Sequence, residues 1–149
     1  MPDAAAVRPN PITIEAFESC HIPLAAWNHL AHLNVAYLLL RAGPTLELAT
    51  ERMCRGVQRF NAANGIEQTP TGGYHHTLTV AWMRIVDTTM VVYGPAEGPE
   101  AFLAQHTHLH SKVLLRLFYS RPRIMSPEAR HEWVEPDLAP LPRPPATQS

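Results

Sequence analysis

The chain has 149 residues, enough for one domain with a buried core, and its 12 Lys+Arg against 13 Asp+Glu leave a formal charge of −1. That balance offers no basic surplus with which to hold a nucleic acid, so no nucleic-acid partner is expected. The most apolar stretch, Leu30–Leu40, falls short of the roughly 20 residues that span a bilayer, and the start MPDAAAVRPN lacks the pattern of a signal peptide. No membrane partner and a cytoplasmic location are therefore expected, and Cys20 and Cys54 are read as reduced core thiols.

Residues 1–11 carry three prolines and little apolar content and read as a loose arm. The segment 12–20 reads as a short helix capped by Thr13, with Ile14, Phe17 and Cys20 on one face. Pro23 suits the first turn of a second helix over about 24–42. That helix carries no formal charge between Trp27 and Leu40, so protein should surround it, and Gly43-Pro44 stops it. Thr45 caps a third helix that runs to about Asn64, with Leu46, Ala49, Met53, Val57 and Phe60 as its apolar stripe and Gly65 as its stop. After the polar loop EQTPTGG a fourth helix is expected over about 74–93; its β-branched content suggests a strand, but its length does not. Two short helices and a further turn at Ser126-Pro127-Glu128 follow, and from Val134 the chain is extended and proline-rich. The expected architecture is all-α: a compact bundle of four main helices plus short ones, with 12–142 as a single domain and 143–149 as a frayed end.

Nine histidines stand out in a domain of this size. His29 and His32 are three apart on the second helix and share a face with apolar residues, so both point inward. Each buried ring needs a partner, because an unsatisfied one costs about 1–3 kcal/mol, and a shared cation would satisfy both. Helical steps from His75 reach Thr79, Trp82 and Val86, an inward stripe, whereas steps from His76 drift towards Asp87 and water. His29, His32 and His75 are therefore the expected ligands of one divalent transition metal with open coordination positions. His75 could instead simply cap its helix. His106, His108 and His110 in HTHLH are read as exposed.

Zinc-protease, P-loop, dinucleotide-binding and nucleophile-elbow motifs are absent, and no set of inward carboxylates suggests a di-iron site. The segments FESCHIPLAAWNHLAHLNVAY (17–37), FNAANG (60–65), GYHHTLTVAW (73–82) and FYSRPRIMSPEARHEWVEPDLAPLP (118–142) resemble an uncharacterised bacterial family of small helical proteins. Its pattern, Trp-x-His-x-x-His-Leu and then Gly-Tyr-His-x-Thr-x-Thr, falls on Trp27, His29, His32 and Leu33, and on Gly73, Tyr74, His75, Thr77 and Thr79. The resemblance implies Glu in many relatives directly after the second motif's histidine, where this chain has His76. The resemblance implies that these histidines matter and that the stretch to about Pro142 packs on the domain; it implies no reaction. Glu18, in a matched segment, is the carboxylate nominated for supporting or acid/base work, the alternative being a solvent-facing helix glutamate.

Imidazole ligands suit iron, copper and zinc alike. The aromatic surroundings, with Trp27, Tyr37, Thr79 and Trp82 as the expected substrate pocket, favour iron or copper and a non-haem oxygenase acting on a small organic molecule. A zinc-dependent hydrolase or lyase and a non-catalytic metal- or ligand-binding helical module are the alternatives. The sequence leaves the oligomeric state open.

Overall fold

The computed structural model describes residues 12–145. The arm expected over 1–11 and part of the frayed end expected at 143–149 lie outside the described residues. Helices make up the described chain: α1 (Ile14–Glu18), α2 (His29–Ala42), α3 (Leu46–Ala63), α4 (His76–Tyr93), α5 (Pro99–Gln105), α6 (Arg121–Ile124) and α7 (Pro127–His131). Three 3-10 turns, Leu24–Ala26, Thr107–His110 and Lys112–Leu117, join them, and no strand occurs among the described residues. The all-α bundle is thus present, with α2, α3 and α4 packed on one another as its body. None of these helices is long and apolar enough to cross a membrane.

Caps fix where the long helices begin. Thr45 Oγ1 accepts from the Leu48 N–H at 3.1 Å to start α3, as its sequence position suggested. The second helix starts later than Pro23 implied. Asn28 is its cap, accepting from the Ala31 N–H at 2.9 Å, and Leu24–Ala26 forms a separate 3-10 turn. That shift places His29 and His32 in the first turn of α2.

The core gathers Phe17, Phe60, Phe102 and Tyr119, all fully enclosed, around Leu33, Leu39 and Val86. Burial of each such side chain stabilises the fold by about 1.5–3 kcal/mol. Gly56 sits mid-helix in α3, where glycine costs about 1 kcal/mol relative to alanine. It does so because a Cβ there would lie 2.2 Å from the Phe17 ring, so α1 docks only on a bare backbone.

The extended tail is clasped to the bundle. Thr77 Oγ1 donates to the Glu132 carbonyl at 2.7 Å and accepts from the Val134 N–H at 3.2 Å. Tyr119 donates to the Val134 carbonyl at 2.7 Å, and Thr88 donates to the Pro142 carbonyl at 3.1 Å. Val134 and Leu141 bury their side chains.

Candidate functional site

The first turns of α2 and α4 border one cavity of about 440 Å³. His29, His32 and Ala36 line it from α2, Met53, Val57 and Asn61 from α3, and Leu78, Thr79 and Trp82 from α4, with His75 and Tyr74 beside them and Trp27 across. Among the described residues, Lys112 is the one formal charge in the lining, and no carboxylate faces it. The positive ends of two helices thus border a mostly apolar space, an environment that disfavours a protonated imidazole.

Hydrogen bonds assign each ring its tautomer, because a carbonyl can only accept. His29 Nε2–H donates to the Leu109 carbonyl at 2.9 Å, which leaves Nδ1 as a lone pair without a partner among the described residues. His32 Nδ1–H donates to the Asn28 carbonyl at 2.7 Å, which leaves Nε2 in the same state. Trp27 lies over His32 with ring centroids 4.0 Å apart, and Trp82 meets His29 edge-on at 4.7 Å. Burial holds both imidazoles below the ordinary histidine range, and the nearby Lys112 ammonium pushes the same way.

His75 differs. Its Nε2–H donates to the Ile124 carbonyl at 2.8 Å, and its Nδ1 accepts from the Leu78 N–H at 3.1 Å as the cap of α4. Both ring nitrogens are therefore engaged, and burial keeps the ring neutral. As folded, His75 has no free lone pair to join His29 and His32 as a third ligand, and its contacts match the other expectation, that it caps its helix. Among the described residues, no three His, Cys, Asp or Glu side chains converge as a metal-binding group.

Two other expected site residues lie elsewhere. Glu18 forms a two-pronged pair with Arg52, at 2.9 Å from Nε and 2.8 Å from Nη2, and this pairing holds its carboxyl below the usual range. It is a surface strut between α1 and α3, not an acid facing the cavity. Tyr37 donates to the Pro95 carbonyl and packs its ring on Phe102, outside the cavity. The histidines of HTHLH are not all exposed either: His106 is buried against Phe102 and Tyr93, while His110 Nε2–H donates to the Leu103 carbonyl. His76 is half-buried, with Tyr74 and His76 Nδ1 hydrogen-bonded at 2.7 Å. Both cysteines are free thiols, and burial pushes that of Cys54 upward.

Lys112 escaped the sequence reading because no periodicity places it; a 3-10 turn swings it to the cavity. A signal did exist. Between Glu100 and Glu128 the chain has no acidic residue but carries Lys112, Arg116, Arg121 and Arg123. The chain matches no protein-family model, no curated protein and no solved structure.

Proposed function

We propose that the cavity binds a small organic molecule and that His29 and His32 are the groups that act on it. One observation carries this reading. Two half-buried imidazoles are each pinned through one nitrogen to a backbone carbonyl and keep the other without a partner among the described residues, in a cavity walled by Trp27 and Trp82. A ring fixed in this way and neutral at pH 7 can accept a proton from, or hydrogen-bond to, a polar group on a molecule whose apolar body fills the rest.

A second reading is metal-dependent chemistry, with one divalent iron, copper or zinc held by His29 and His32. The carbonyl contacts favour it, since metal-binding histidines commonly donate their other N–H to such a group. His75 would join only by giving up its helix cap. A bound metal would supply either oxygen chemistry, as a non-haem oxygenase, or an activated water, as a hydrolase or lyase.

Metal analysis and titration of the untagged protein, beside the His29→Ala/His32→Ala and His75→Asn variants, separates the two readings. Metal bound by the parent and by His75→Asn but lost from the double variant is expected if the pair ligates. Binding of small aromatic molecules, lost from the double variant with no metal uptake by any form, is expected if the pair acts directly. Neither metal nor small-molecule binding in any form would overturn both readings and leave a helical module with hydrogen-bonded core histidines.

A further inference from the structure

A second cleft, of about 240 Å³, adjoins the cavity and shares His75, Leu78 and Lys112 with it. Among the described residues, its lining includes Lys112, Arg116, Arg121 and Arg130 and no carboxylate. The ion pairs of the described residues are Arg52–Glu18 and Arg55–Glu51, so none of these four cations is paired there. Arg130 is 8% exposed, and its Nη1 donates only to the Gly72 and Tyr74 carbonyls, at 3.2 and 3.4 Å. A guanidinium buried without a counter-charge is costly, and the three cations that share the cleft with it, Lys112, Arg116 and Arg121, supply none. The chain as a whole carries a formal charge of −1, so this concentration is local and not the by-product of a basic protein.

We infer that the ligand of the cavity is an organic anion whose phosphate- or carboxylate-type head sits among Lys112, Arg116, Arg121 and Arg130. The inference rests on the cavity being a small-molecule site and names the class of molecule that fills it. The apolar body lies between Trp27 and Trp82, and the head reaches past His75 into the basic cleft. Guanidinium groups suit such a head because their paired N–H donors match its oxygens.

Calorimetric titration with phenyl phosphate, phenylacetate and the neutral phenylacetamide tests this, on the parent and on the Arg116→Gln/Arg121→Gln variant. Both arginines are exposed, so the variant should fold as the parent does. Both anions are expected to bind at least about tenfold more tightly than the amide, and the variant to lose about tenfold per guanidinium for the anions alone. The better of the two anions names the head, and inorganic phosphate should compete with it. An amide that binds as tightly as the anions would overturn the inference while leaving the cavity reading intact. Anion affinity unchanged in the variant would place the head elsewhere and overturn it too. Failure of all three probes would overturn the inference together with the cavity reading beneath it.

Discussion

His32 and His75 border the same cavity, each in the first turn or at the cap of a long helix, yet they are held differently. His32 gives one nitrogen to the Asn28 carbonyl and keeps the other. His75 spends one nitrogen on the Leu78 N–H and the other on the Ile124 carbonyl. The first ring is pinned and chemically available. The second belongs to the scaffold: it starts α4 and ties that helix to α6. Two rings that border one cavity can thus carry opposite duties, and the difference lies in which nitrogens the backbone has already taken.

The strongest way to break this contrast is to remove each ring in turn. His75→Ala loses a helix cap and strands the Ile124 carbonyl, and should cost about 2–4 kcal/mol of stability in urea denaturation. His75→Asn, which can cap the helix again, should recover about 1 kcal/mol of that. His32→Ala should cost less than His75→Ala, because the backbone N–H of residue 32 still donates to the Asn28 carbonyl at 3.0 Å. If His32→Ala proved the more damaging, the division of duties proposed here would be reversed.

Acid sharpens the comparison. Burial lowers the pKa of His75 in the folded chain, while the unfolded chain takes up protons near the ordinary value of about 6.5. The unfolded state therefore binds more protons as pH falls below about 6.5, and stability that is whole above that point should be lost towards the lowered folded value. Denaturation midpoints followed from pH 7.5 downwards should fall in the parent and fall less steeply in His75→Asn. A parallel fall in the two proteins would show that other groups carry the acid sensitivity.

Glu18 supplies the smallest expected effect. It is about a third exposed and tied to Arg52, so Glu18→Gln should cost only about 0.2–1 kcal/mol and leave ligand or metal binding unchanged. A large loss of binding in that variant would return Glu18 to the site from which its geometry removes it.

Periodicity and punctuation made the three long helices legible. Thr45 and Gly43-Pro44 mark boundaries that sequence rules read well. The 3.6-residue step also put His29, His32, Thr79 and Trp82 on inward faces, and all four line the cavity. What it could not give was the state of a nitrogen. The cap of α4 is local and His75 was a candidate for it, but that its other nitrogen reaches Ile124 depends on a partner 49 positions away, which no local pattern encodes. Tyr37 and Glu18 do not line the cavity for a related reason: each finds a partner distant in sequence, Pro95 or Arg52. The basic cleft is assembled from a 3-10 turn, α6 and α7, elements too short to show a period.

The tilted packing of Trp27 on His32, with ring centroids 4.0 Å apart, has an optical consequence. An imidazolium against an indole face is a cation–π pair that drains the excited indole, whereas the neutral ring leaves it bright. Trp133, which holds Arg84 over its ring at 4.2 Å, supplies a steady background away from the cavity. Trp27 emission should therefore dim as His32 gains a proton, and Trp82 should respond likewise to His29, so the protein carries its own light-emitting gauge of the charge on that pair.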